Sequence, residues 1–155
     1  MHIVLFEPEI PPNTGNIARL CAATSTILHL IEPLGFQLEN RYLKRAGLDY
    51  WPNVTMRVWH TWEDYAEAMP GRRVMVSAKH RLQTISLPDF LFQADDHLVF
   101  GPETRGLPDS ILAHSPHHIR VPMRPGGVRS LNLSTCAGIV LYQALITTGI
   151  PASWC

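Results

Sequence analysis

A chain of 155 residues, 46% of them hydrophobic, can enclose one substantial core, so a single domain over residues 1–155 is expected. Thirteen Lys and Arg balance thirteen Asp and Glu, so the overall charge gives no reason to expect nucleic acid. No apolar run approaches the roughly 20 residues of a membrane-spanning helix. The opening His2-Ile3-Val4-Leu5-Phe6 carries no basic leader and no small-residue cleavage site, so a cytoplasmic protein without a membrane partner is expected. Cys21, Cys136 and Cys155 are odd in number, far apart and outside any Cys-x-x-Cys pattern, which argues against a disulfide framework and against zinc.

In chain order, residues 2–6 form an apolar run that reads as a buried strand, followed by a helix over 14–24 and a second strand over 27–31. Between Arg41 and Arg81 stand eight basic residues (Arg41, Lys44, Arg45, Arg57, Arg72, Arg73, Lys79, Arg81) and four acidic ones (Asp49, Glu63, Asp64, Glu67). An ordinary mixed-charge surface explains them more simply than an RNA patch. Strands are expected at 54–59, 73–77, 97–100 and 118–121, with helices at 62–69 and 108–114. A long helix over 131–148 repeats Leu133, Ala137, Val140, Leu141, Ala144 and Leu145 at steps of three or four, giving one apolar stripe. This alternation predicts an α/β fold with a mainly parallel sheet flanked by helices. No repeat or long linker divides the chain.

Open α/β sheets bind ligands beyond the carboxyl ends of their strands, which directs attention to the loops there. After the first strand comes Glu7-Pro8-Glu9-Ile10-Pro11-Pro12-Asn13-Thr14-Gly15-Asn16, leading into a helix that carries Arg19. Asn13 or Thr14 either caps that helix or helps hold an anion or ribose at its amino end. The run Phe100-Gly101-Pro102-Glu103-Thr104-Arg105-Gly106-Leu107-Pro108 lets backbone approach a flat ligand at Gly101 and Gly106. Glu103 and Arg105 either serve such a ligand or pair with each other across a tight turn. A third strand end, Val121, runs through a Gly-rich loop to Ser130-Leu131-Asn132-Leu133-Ser134, where Ser130 and Asn132 either cap a helix or bind a ligand. Three such loops together favour a site. Neither Gly-x-Gly-x-x-Gly nor Gly-x-x-x-x-Gly-Lys is present. His114, His117 and His118 cluster without a metal-ligand motif, so surface histidines are the simpler reading, and Cys21 and Cys136 read as small core residues.

Taken together, Asn13-x5-Arg19, the 100–108 run and Ser130-Leu-Asn-Leu-Ser134 resemble the three motifs of the SPOUT superfamily of trefoil-knotted RNA methyltransferases. The stretch from Glu7 to Arg19 narrows the resemblance to its minimal bacterial members, which methylate the ribose of the wobble nucleotide of tRNA. The resemblance spans nearly the whole chain. It implies a C-terminal deep trefoil knot, an exception to the usual unknotted connection. It also implies S-adenosylmethionine as cofactor without a metal, contacted by Ser77, Gly101, Val121, Ser130 and Leu131.

The catalytic residues it implies are Arg19, Asn13, Glu103 and Asn132. Similar enzymes give the arginine matched by Arg19 the proton-accepting role. A guanidinium, whose pKa exceeds about 12, is better suited to stabilise the developing alkoxide or hold the adjacent phosphate, with Asn13 and Glu103 fixing Arg19 and the ribose. The implied partners are a tRNA anticodon stem-loop, in tRNAs for leucine, and a second copy of the chain, with no DNA. Phosphate contacts are expected from Arg41, Lys44 and Arg45 and from the Arg72-Arg73 pair. Two alternatives stay open: the same chemistry at another tRNA or ribosomal RNA position, and a non-catalytic RNA-binding protein of the same fold.

Overall fold

The structure, a computed structural model, describes residues 1–38, 51–78 and 83–154. Among these residues, seven strands form one sheet in the order β3-β2-β1-β6-β4-β7-β5: β1 (His2–Phe6), β2 (Ile27–Ile31), β3 (Met56–Trp59), β4 (Arg73–Val76), β5 (Ile85–Ser86), β6 (His97–Phe100) and β7 (His118–Arg120). Every pairing is parallel. Parallel strands require crossover connections, and the helices that make them cover both faces of the sheet. On one face α1 (Pro11–Thr24) and α4 (Leu133–Thr148) pack through Ile17, Cys21, Ala137 and Leu141 onto Ile3, Leu5, Leu98 and Phe100. On the other, α2 (Trp62–Ala68) and α3 (Asp109–Leu112) pack through Trp62, Tyr65 and Leu112 onto Val4, Met75 and Val99. The strands alternate their side chains between these two cores, so β1 and β6 are buried on both sides.

The α/β reading holds, with local corrections at element ends. The first helix begins at Pro11, not residue 14, because Pro11 and Pro12 occupy positions whose N–H groups have no helical partner. Its cap residue is Ile10, without a side-chain cap. Asn13 and Thr14 are therefore not caps but buried residues of the first turn. Helix α4 starts at Leu133 because Asn132 caps it, accepting from the N–H groups of Ser134 at 2.9 Å and Thr135 at 3.3 Å. Thr61 caps α2 through Asp64 N–H at 3.0 Å. Strand β5, only two residues long, was too short to show a period. Among the described residues, no helix is long and apolar enough to cross a membrane.

Helix α1, which follows β1, and the 101–112 segment, which follows the neighbouring β6, lie on opposite faces of the sheet. Their divergence opens a crevice at the carboxyl ends of these two adjacent strands, where α/β sheets place ligands.

Candidate active site

A cavity of about 540 Å³ fills that crevice, a volume suited to a molecule of cofactor size. The ends of four adjacent strands build it. The first turn of α1, which follows β1, contributes Asn13, the loop after β4 Ser77, that after β6 Gly101 and Glu103, and that after β7 Val121, Ser130, Leu131 and Asn132. Eight of the nine residues expected at the site thus line one cavity. Arg19 does not. It lies on the solvent-facing stripe of α1 with Pro12, Asn16 and Ala23, outside the lining.

The three motif loops are tied by a chain of hydrogen bonds. The Glu103 carboxylate accepts from the backbone N–H of Glu9 at 2.9 Å, that of Ile10 at 3.2 Å and Nδ2 of Asn13 at 3.1 Å. Oδ1 of Asn13 accepts from Nδ2 of Asn132 at 2.9 Å, and Asn132 spends its own Oδ1 on the start of α4. A carboxylate with three donors is oriented and committed as an acceptor, which suits it to positioning and to fixing negative charge beside the cavity. Glu103 and Arg105 do not pair with each other. Arg105 pairs with Glu7 instead, across the two loops.

One contact was not anticipated. Glu9 returns the bond that its N–H makes: its carboxylate accepts from Thr104 N–H at 3.0 Å and Thr104 Oγ1 at 2.9 Å, so the first and second loops clasp each other reciprocally. The only signal in sequence was an acidic residue in each loop, and charge alone does not show that acids 94 residues apart exchange backbone bonds. Gly101 is required by packing, since a Cβ there would lie 2.2 Å from the Leu107 nitrogen and 2.4 Å from the Gly106 carbonyl carbon. Gly106 has φ +65°, in the left-handed region that glycine adopts freely.

Cys136 also lines the cavity, and burial pushes its thiol up to about 11; Cys21 is buried in the core and pushed up to about 12. Both are neutral and poor nucleophiles at physiological pH. The histidines at 114, 117 and 118 are separate: His114 lies against Trp62, His117 against Phe90, and His118 bonds the Leu112 carbonyl at 3.0 Å. Among the described residues, no three His, Cys, Asp or Glu side chains are grouped to hold a metal ion.

The structure corrects the expected phosphate surface. Arg72 and Arg73 lie at the amino end of β4, the opposite end of the sheet from the cavity. Arg72 forms a two-pronged pair with the buried Asp96, both contacts at 2.7 Å. Arg73 donates to the carbonyls of Ala66 at 3.0 Å and Met69 at 3.1 Å, and packs over the rings of Trp62 and Tyr65. Two adjacent arginines look like a patch until a distant carboxylate and the carbonyls that close α2 occupy them. Arg41, Lys44 and Arg45 fall outside the described residues.

The chain is similar to named proteins over nearly its whole length. The chain is 52% identical over 149 residues to the tRNA (cytidine(34)-2'-O)-methyltransferase of Methylovorus glucosotrophus, covering 92% of each chain. It is 44% identical over 155 residues to the enzyme of the same name from Escherichia coli K12, covering 99% of this chain and 97% of that one. A solved structure concerned with the 2-OH methylation of C/U34 on tRNA superimposes with a TM-score of 0.87 at 46% identity, covering 94% of both chains. Residues 1–142 match the profile of the SpoU rRNA Methylase family, and with these relatives they establish that the chain belongs to that family.

Proposed function

We propose that this protein transfers a methyl group from S-adenosylmethionine to the ribose 2′-hydroxyl of nucleotide 34, the wobble position, of tRNA. The observation that carries the reading is the convergence of three separate loops on one cavity through the Glu103-Asn13-Asn132 chain, in a sequence 52% identical to an enzyme named for that reaction. The cavity suits the cofactor. Val76, Val121 and Leu131 present apolar surface to a flat heteroaromatic ring, while Ser77, Ser130 and Asn132 offer hydroxyl and amide groups for a ribose. The acidic Glu103 at the rim complements a sulfonium.

When bound, the cofactor supplies an electrophilic methyl group. The chain's part is to align the ribose oxygen, balance charge as its proton leaves, and exclude water. Asn13, locked between Glu103 and Asn132, has its amide oriented at the cavity edge and so is assigned to positioning. Arg19 retains an electrostatic role. Side chains on a helix leave the backbone tilted toward its amino end, which for α1 is the cavity end, and in this reading Arg19 acts from the outer side of the rim where RNA would arrive. There it steadies the developing alkoxide or a neighbouring phosphate. Within this reading the 118–148 region takes the knotted path of the superfamily.

A homodimer belongs to the same reading. Helix α4 is apolar on both sides: Ala137, Val140, Leu141 and Ala144 are buried, while Ile139, Tyr142 and Ile146 are 41%, 47% and 63% exposed. A helix apolar all round needs a second covering surface, and another copy of the chain supplies it. The expected RNA is an anticodon stem-loop of leucine tRNAs, in the cytoplasm. Mass-spectrometric mapping of tRNA from a deletion strain tests the whole reading. The expected result is loss of the 2′-O-methyl at position 34; an unchanged wobble ribose with a methyl lost from ribosomal RNA would move the activity to another target.

A further inference from the structure

With Arg72 and Arg73 committed at the far end of the sheet, the cation that meets RNA phosphate must come from elsewhere. From residue 110 to residue 155 the sequence has no Asp or Glu, yet it has Arg120, Arg124 and Arg129. All three are exposed, and none of their guanidinium groups has a hydrogen bond or ion pair among the described residues. They contrast with Arg105, held by Glu7, and with Arg72, held by Asp96.

The local backbone puts Arg124 on a small turn at the mouth of the cavity and Arg129 two residues beyond it. Gly127 N–H donates to the Arg124 carbonyl at 3.4 Å and Gly126 has φ +78°, so Arg124-Pro125-Gly126-Gly127 is a turn with proline and glycine at its two centres. A Cβ on Gly126 would meet nothing within 4 Å, so the tip stands in open space. Met123 just before this turn and Ser130 just after Arg129 both line the cavity. The turn is therefore a projection from the rim, with a guanidinium on each flank and no side-chain bulk between them at Gly126 and Gly127.

We propose that this turn, with Arg124 and Arg129 and with Arg120 at the end of β7, is the surface that grips the sugar-phosphate backbone of the substrate RNA beside the target ribose. The proposal rests on the methyl-transfer reading and names its RNA-facing surface. Three features point to this occupant. The segment is wholly cationic, and each nucleotide brings one negative charge. Guanidinium forks fit phosphate oxygens in two-pronged fashion. The two glycines let a bulky polynucleotide backbone come close. The surface is also continuous with the cavity, so a strand held there would deliver its ribose to the rim.

The test uses the full-length protein with an anticodon stem-loop RNA and compares the parent, the double variant Arg124→Gln/Arg129→Gln and Arg57→Gln. Arg57→Gln removes one charge from β3, away from the cavity. Each lost phosphate contact reduces the slope of log affinity against log salt by about 0.7 for single-stranded RNA, so the double variant should lose about 1.4 from that slope. It should also raise KM for RNA by about tenfold or more while the Kd for S-adenosylmethionine stays within about twofold. Arg57→Gln should leave slope and KM unchanged. Exposed turn residues should leave the thermal midpoint unmoved, which circular dichroism verifies. An unchanged slope and KM in the double variant overturns the proposal. So does weakened cofactor binding with an unchanged slope, which would assign the arginines to the cofactor's carboxylate. If the parent binds RNA with the expected slope change on mutation but transfers no methyl, the surface stands and the reaction assignment falls.

Discussion

Asn132 donates from Nδ2 to Oδ1 of Asn13 at 2.9 Å, joining the start of α4 to the first turn of α1 across 119 positions of sequence. Asn13 passes the connection on, donating from its own Nδ2 to Glu103 at 3.1 Å. An amide fits this place because it offers an acceptor to one neighbour and a donor to the other.

Asn13→Asp should therefore be worse than Asn13→Ala. Alanine removes two bonds, each worth about 1 kcal/mol, whereas aspartate keeps the acceptor for Asn132 and sets a second carboxylate against Glu103. Methyl-transfer kcat should fall by about 10- to 100-fold for Asn13→Ala and further for Asn13→Asp, with cofactor affinity changed far less. Steady-state kinetics and calorimetry of both variants measure this. Equal activity of Asp and Asn at this position would show that the donor bond to Glu103 has no part in alignment.

Gly101→Ala should abolish cofactor binding and destabilise the 101–107 loop. The added methyl would lie 2.2 Å from the Leu107 nitrogen, a backbone atom that cannot swing aside as a flexible side chain would. Overpacking of this kind costs about 1–3 kcal/mol and displaces the segment that carries Glu103. Thermal unfolding and cofactor titration should both register the change.

Acid should destabilise the protein through a stack of histidines at the amino ends of the strands. His2 and His97 stack at 4.1 Å, and Tyr65 Oη lies 2.5 Å from His97 Nδ1. Trp59 Nε1 donates to His29 Nδ1 at 3.0 Å, and an indole N–H only donates. Neutral His29 therefore carries its proton on Nε2, from which it donates to His2 Nδ1 at 2.9 Å. Burial, then the charges of His2, His97 and Arg57, pushes His29 down to about 3. Burial, then His2, Arg73 and the N-terminal amine, with Asp95 opposing, pushes His97 down to about 4.

Unfolded histidine titrates near about 6.5, so below that pH the unfolded chain binds more protons than the folded one. Stability should be flat with respect to these groups above about pH 7 and should fall as pH drops from about 6.5 toward about 4. Urea midpoints across that range, compared for the parent and His29→Phe, test the sign. The variant should show a shallower dependence.

Ile146→Glu should convert a dimer into monomers. Ile146 is 63% exposed on the outer stripe of α4, so the substitution leaves the chain's own core intact but buries a carboxylate wherever a second copy covers the helix. Analytical ultracentrifugation reads the outcome. A parent protein that is monomeric at all concentrations would remove the second copy from the proposed function.

Much of this molecule was readable along the chain. The strands at His2–Phe6, Ile27–Ile31 and His97–Phe100 carry runs of apolar residues that are buried on both faces of a parallel sheet, so their limits coincide with those expected. The inner stripe of α4 repeats at helical spacing, and the motif loops identify themselves by residue types in order. The pairings were not readable. Arg105 reaches Glu7 and not the nearby Glu103, because β1 and β6 become neighbours only when the sheet is assembled.

By itself the sequence determined the α/β alternation, because hydrophobic period is a local property that each segment carries with it, and the resemblance of its three motifs to a known family named eight residues that line the cavity. Only the tertiary structure decided the rest: that Asn13 is a buried link and not a cap, that Arg72 and Arg73 turn away from the cavity, and that Arg19 stands outside its lining. Those outcomes depend on which distant carboxylates, carbonyls and amides meet when the strands take the order β3-β2-β1-β6-β4-β7-β5. A polar side chain has several acceptable partners along the sequence, and three-dimensional proximity selects among them.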